Sequence, residues 1–183
     1  MALLSIIIAP DPRLKRHCAP VERVDTTIRT LMDDMLETMY EAPGVGLAAP
    51  QVDALKRIIV VDIAKKDQPK QPYRMANPEL LWVSDDDVTY EEGCLSLPEH
   101  YAEVARPARC KVRYLDHENE LRELEADGLL ATCVQHEMDH LDGILFVDHI
   151  STLKRNMILR KLVKTKKSGT AAQEPAREPA RAL

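Results

Sequence analysis

Gly128-Leu129-Leu130-Ala131-Thr132-Cys133-Val134-Gln135-His136-Glu137-Met138-Asp139-His140-Leu141 reads as one helix, opened at Asp127-Gly128 and stopped before Gly143. Leu129, Leu130, Cys133, Val134, Met138 and Leu141 make it mostly apolar, so it belongs in an interior. His136 and His140 are four residues apart and share one face, one turn from each other. Two imidazoles so placed can chelate a single cation, with Glu137 between them close enough to serve as general base toward a water there. A surface helix with two solvated histidines is the alternative, and it suits so apolar a run poorly. The stretch points to a metal-dependent hydrolase.

A catalytic metal of this kind needs a third protein ligand and an open position. A third histidine six residues past His140 is ruled out, because that position is Phe146. The only later histidine is His149, and the later glutamates fall near the C-terminus. Cys133 shares a face with His136 but lies seven residues from His140, about 10.5 Å along the axis. It reads better as a small buried residue beneath the site. Cys94 stands in Glu91-Glu92-Gly93-Cys94-Leu95-Ser96-Leu97-Pro98, a glycine-containing turn where backbone can be shaped around a cation. Cys18 and Cys110 have no such context and read as structural. The four cysteines form no disulfide framework, so reduced thiols in a cytosol-like compartment are expected.

Upstream, residues 25–41 form a helix capped by Asp25, with Ile28, Leu31, Met32, Met35, Leu36 and Met39 on its apolar face and Pro43-Gly44 ending it. A Gly/Ala-rich loop follows over 44–51. Residues 57–63 read as a buried strand, 65–72 as a polar turn, and 73–126 as a series of short strands. Leu3 to Ala9 reads as a buried strand or extended segment, too short to span a bilayer. A third helix starts at a cap on Ser151 or Thr152 and runs to about Lys166, with Leu153, Met157, Ile158, Leu162 and Val163 as its apolar face. Residues 168–183, rich in Ala, Pro, Glu and Arg without apolar periodicity, read as a disordered tail.

The expected fold is α+β: strand-rich sheets around a central metal-binding helix, with an N-terminal and a C-terminal helix, in a single domain over 1–167. A length of 183 residues suits one domain. One Phe and one Trp leave the core to Leu, Ile, Val and Met. The net charge of −5 hides an asymmetry: Lys154, Arg155, Arg160, Lys161, Lys164, Lys166 and Lys167 fall in 151–167, which holds no acidic residue. A basic helix on an acidic body suggests an anionic partner.

Three motifs occur in order: Gly44-Val45-Gly46-Leu47-Ala48-Ala49-Pro50-Gln51, then Glu92-Gly93-Cys94-Leu95-Ser96, then Gln135-His136-Glu137-Met138-Asp139-His140-Leu141-Asp142-Gly143. Together they make the chain resemble the bacterial-type peptide deformylases over about residues 1–165. The resemblance implies removal of the formyl group from the N-terminal formyl-methionine of nascent polypeptides, with release of formate. It implies Cys94, His136 and His140 as metal ligands, with Fe2+ native and Zn2+, Ni2+ or Co2+ able to substitute. Ligand types alone would point to zinc. Glu137 becomes the proton-transferring catalytic residue, and the side-chain amide of Gln51 and the backbone N–H of Leu95 become donors to the formyl oxygen.

Gly46 allows close approach of backbone to substrate. Val45, Tyr90, Leu129, Thr132, Cys133 and the ring of His136 are candidates for the methionine pocket, by position near the motifs. Asp139 is either an orienting partner behind the ligands or a solvated carboxylate. Tyr101 stands where some family members carry a basic residue, which alters peptide-backbone recognition there. The resemblance further implies a cytoplasmic monomer that docks on the ribosome through 151–167, with no DNA or membrane partner. Two other readings are a peptidase using the same His-Glu-x-x-His logic, indifferent to Cys94, and a ribosome-bound protein with a structural metal, indifferent to Glu137.

Overall fold

The computed structural model describes residues 2–65 and 67–167; the tail over 168–183, read above as disordered, lies outside them. Helix α1 (Thr26–Glu41) begins where Asp25 accepts a hydrogen bond from the Ile28 N–H, the capping expected of an aspartate at that position. Five strands follow in an antiparallel sheet of spatial order β1-β2-β3-β6-β7: β1 (Gly46–Ala48), β2 (Ile58–Val61), β3 (Tyr73–Val83), β6 (Arg109–Leu115) and β7 (Leu121–Asp127). A separate two-stranded hairpin, β4 (Asp87–Cys94) with β5 (Leu97–Pro107), leaves the sheet after β3 and returns to it at β6. Helices α2 (Gly128–Leu141) and α3 (Thr152–Lys167) are the last two helices among the described residues.

The run Ile58-Ile59-Val60-Val61 is apolar throughout because both faces of the sheet are covered. Side chains alternate along a strand. Ile58 and Val60 therefore meet Ile28, Met32, Met35, Leu36 and Met39 of α1, joined by Leu47 and Ala76. Ile59 and Val61 meet Val134, Met138 and Leu141 of α2, joined by Met75, Val112 and Tyr114. The site helix is thus the buried layer against one face of the sheet. It ends at Asp142, and Gly143 takes φ +74° directly against Lys15, where a Cβ would lie 2.6 Å from the carbonyl oxygen.

A third apolar cluster fastens the hairpin. Cys94, Leu97 and Val104 pack with Ile7, Leu14, Phe146, Val147 and Leu162. The N-terminal segment is the extended form of the two expected, stitched by Ile7 N–H to the Gln51 carbonyl at 2.7 Å and Ala9 N–H to the Ser96 carbonyl at 2.9 Å.

Two expectations are corrected. Residues 44–51 are not a loop throughout: Gly46–Ala48 is edge strand β1 and Ala49–Val52 is a 3-10 turn, since pairing with β2 satisfies backbone that a loop would leave to water. The apolar face of α3 is also rotated. Ser151 caps the helix through its carbonyl to Arg155 N–H, and Ile158, Leu159 and Leu162 pack on the hairpin cluster, while Leu153 is 73% and Met157 53% exposed. A helix seated on so narrow a cluster buries one short stripe, less than its apolar residues could cover.

Candidate active site

Chain order gives no reason for Cys94 to meet α2; the hairpin does. Pairing runs regularly to Gly93 opposite Tyr101 and then shifts, so that Cys94 stands opposite Leu97. The irregularity ends β4 with the thiol turned on the helix, and Cys94 Sγ lies 3.2 Å from His140 Nε2. One nitrogen each of His136 and His140 and the Cys94 sulfur lie within 4.8 Å of one another, all buried. A thiol and two imidazoles are a donor set that one divalent cation takes from a protein. The two imidazole rings meet edge to face at 5.0 Å, and Phe146 stacks on His136 at 6.4 Å.

The ring of His136 is held from behind, while the Nδ1 of His140 is buried with no partner among the described residues. His136 Nδ1 is 2.8 Å from Glu92 Oε2, and its Nε2 is buried with no partner among the described residues. An orphaned imidazole nitrogen beside a buried thiol and a second imidazole is what a metal would satisfy. Burial pushes the Cys94 thiol far up, with the Glu137 carboxylate adding to the effect, and burial pushes His140 well down, with His136 next. A divalent cation reverses the first shift, because a coordinating thiol is deprotonated outright. The donor set therefore fits a metal.

Glu137 follows His136 on α2 and its carboxyl reaches β1 at Gly46. A Cβ on Gly46 would fall 2.3 Å from Glu137 Oε1 and 2.9 Å from Cys133 Sγ, so a side chain there would displace the Glu137 carboxylate. Burial raises the Glu137 carboxyl well above the ordinary carboxylate range, and the charge of Glu92 adds to this. Its Oε2 is buried with no partner among the described residues, a carboxyl poised to exchange a proton. Gln51 sits at the 3-10 turn after β1. Its Oε1 accepts from Ala48 N–H at 2.8 Å, which sets the amide orientation, and Nε2 lies 3.1 Å from Ser96 Oγ and 3.4 Å from Cys94 Sγ. Leu95 follows Cys94 directly, its side chain packed toward Gly44 and the α1 cluster.

The candidate pocket residues come from three elements. Leu129, Thr132, Cys133 and His136 share a face of α2, Val45 precedes β1, and Tyr90 lies on β4. Val45, Thr132 and Cys133 are buried, Leu129 is 37% exposed, and Cys133 Sγ lies 3.6 Å from the Val45 carbonyl oxygen. The Tyr90 hydroxyl is 3.6 Å from the point where a Cβ on Gly128 would stand, which places it at the start of α2.

Sequence reasoning missed Arg106 and gave Glu92 no role behind the ligands. Arg106 on β5 is buried and forks onto both oxygens of Glu92, with its third nitrogen 2.8 Å from Asp139 Oδ2. Asp139 is therefore an orienting partner and not a solvated carboxylate; it also lies 2.7 Å from His149 Nε2. His149 is no metal candidate. Burial alone would raise Glu92, but the hydrogen bonds from His136 and Arg106 prevail and hold it low; Asp139 is held low against burial by His149 and Arg106. A period-two signal marks Arg106: Ala102, Val104 and Arg106 pair with Glu92, Tyr90 and Val88, all on one face of the hairpin.

The family model described as polypeptide deformylase matches residues 3–156. The peptide deformylase of Phenylobacterium zucineum is 56% identical over 168 residues, 92% of this chain and 99% of that one. The peptide deformylase of Methylocella silvestris is 57% identical over 182 residues, covering 98% and 92%. Among solved structures, the peptide deformylase of Ehrlichia chaffeensis in complex with actinonin superposes with a TM-score of 0.86 at 41% identity, over 93% of this chain and 100% of that one. Over nearly all its described length, in sequence and in the path of its backbone, the chain belongs to the polypeptide deformylase family.

Proposed function

We propose that Cys94 Sγ, His136 Nε2 and His140 Nε2 hold one divalent metal, ferrous iron in the native protein, and that residues 1–167 act as one catalytic domain around it. The chain is a metal-dependent hydrolase that removes the N-formyl group from the N-terminal formyl-methionine of newly synthesised polypeptides and releases formate. The observation that carries this reading is the buried thiol and two imidazoles beside Glu137, whose carboxyl takes the space that a side chain at Gly46 would need. Bound there, a divalent cation supplies Lewis acidity toward water and the formyl oxygen.

The remaining steps belong to the chain's own groups. Glu137 takes the proton of the attacking water at Oε2 and returns it to the departing amine nitrogen; its raised pKa suits both halves of that exchange. As the formyl carbon becomes tetrahedral, negative charge gathers on its oxygen. The Gln51 amide, anchored through Ala48, and the Leu95 N–H donate to it. Gly46 lets the substrate backbone approach β1. Val45, Tyr90, Leu129, Thr132 and Cys133 with the ring of His136 receive the methionine side chain, a reading supported by their mostly apolar character and their position beside the motifs.

The basic helix α3 is read as the ribosome contact of a cytoplasmic monomer: its exposed Leu153 and Met157 lie among Lys154, Arg160, Lys161 and Lys164. Among the described residues, no helix is long and apolar enough to cross a membrane. Formate release from formyl-Met peptides by the ferrous protein under anaerobic conditions tests the main proposal. Wild type is expected to turn over, and Glu137→Ala to lose a factor of about 10²–10⁴ while retaining metal. Absence of formate from the iron, nickel and zinc forms of wild type would sink it.

A further inference from the structure

We propose that His149 is a positioning residue for His136, acting at a distance through Asp139, Arg106 and Glu92. The inference rests on the reading of Cys94, His136 and His140 as a metal site. Four hydrogen-bonded links join the two histidines. His149 Nε2 lies 2.7 Å from Asp139 Oδ2, and Arg106 Nη1 donates to that same oxygen at 2.8 Å. Arg106 Nε and Nη2 donate to the two oxygens of Glu92, and Glu92 Oε2 lies 2.8 Å from His136 Nδ1. The chain runs from a side chain 35% exposed to one that is 1% exposed.

The logic is competition for one guanidinium. Two carboxylates, Glu92 and Asp139, share Arg106, and Glu92 has in addition to hold the Nδ1–H of His136. A donor from His149 satisfies Asp139 in part, so that Arg106 is not drawn toward it and away from Glu92. Removing that donor leaves Asp139 dependent on Arg106 alone, and the fork on Glu92 loosens with it. The same segment steadies His136 a second way. His149 directly follows the 3-10 turn Phe146–Asp148, and the Phe146 ring stacks on the imidazole of His136. One short turn thus brackets the proposed ligand from its ring face and, through four side chains, from its Nδ1 edge. The outer end of the bracket lies at the surface, where substitution costs little packing.

Cobalt(II) binding to the full chain is the test, read by the visible spectrum and by competition with a chelator. Wild type should give a thiolate-to-cobalt band; its absence would overturn the metal reading itself and not the role of His149. Given that band, His149→Ala is expected to weaken cobalt affinity about 3–10-fold, at the low end of what groups behind a ligand contribute. It should also shift the ligand-field bands, and lower kcat with little change in KM. His149→Gln, which keeps a donor, should recover affinity to within about two-fold of wild type. Asp139→Asn should show a loss that His149→Ala does not deepen, because residues acting through one path are not additive. His149→Asn, too short to reach Asp139, replaces the alanine variant if that chain does not fold. Wild-type affinity and spectrum in His149→Ala, or additive losses in the double variant, would overturn the proposal.

Discussion

The β4–β5 and β6–β7 hairpins carry the same kinds of charge in opposite surroundings. On β4–β5, Arg106 and Glu92 pair at 5% and 0% side-chain exposure, directly behind His136. On β6–β7, Lys111, Arg113 and Glu123 pair across strands at 34%, 42% and 42% exposure, with Lys111 Nζ 3.0 Å and Arg113 Nη2 3.3 Å from Glu123. The exposed ladder competes with water and salt, and adds little. The buried fork has no such competitor: each partner would be costly without the other, so the pair is held in one geometry. That rigidity is what a metal-ligating histidine needs from the group behind it. Equal chemistry gives a surface decoration in one hairpin and a positioning device in the other, and burial decides which.

Removing one partner of the buried fork should therefore have the largest effect. Arg106→Ala is expected to cost about 3–5 kcal/mol of stability, measured by urea unfolding of the metal-free chain, because it strands Glu92 in the interior. A loss no larger than that of a surface pair would break the comparison. Next comes acid. Glu92 and Asp139 have lowered pKa values in the fold, so the stability they contribute is complete above the ordinary carboxylate range, near pH 4, and is lost as pH falls through their folded values. Glu92→Gln should flatten the acid limb of a plot of unfolding free energy against pH.

Glu137 runs the other way. Its folded pKa is raised, so its contribution is present at low pH and lost as pH rises through that folded value. In the metal-free chain Glu137→Gln should abolish this loss with rising pH; an unchanged pH profile in the variant would contradict the burial argument. Smallest of all, Lys111→Ala on the exposed ladder should leave the urea midpoint unmoved at physiological salt. A clear drop there would show that the two hairpins differ less than their exposure implies.

The helices were the most legible part of the chain. α1 carries its cap in Asp25 and its buried face at helical spacing, and α2 spans the residues that its Gly-to-Gly apolar run marks out. Each of these helices covers a broad face of the sheet, so local pattern and global packing agree. α3 shows where that agreement ends. Its limits are local, but which of its apolar residues are buried depends on the narrow cluster around Leu162, which is assembled from four distant segments. β1 was hidden for a similar reason: three residues of Gly-Leu-Ala become a strand only because β2 lies beside them.

The site divides along the same line. By itself the sequence determined the His136–Glu137–His140 face, since a helix repeats every 3.6 residues and local spacing is then spatial position. Family resemblance extended that to Cys94, Gln51 and Leu95. Only the tertiary structure decided that Arg106 lies behind Glu92, that Asp139 is shared with His149, and that Gly46 is filled by Glu137. These contacts join residues far apart in the chain, across a strand pairing and a helix packing that no local spacing encodes. Their partners are set by which faces are turned inward together, and that is settled when the sheet, the hairpin and α2 bury their apolar surfaces against one another.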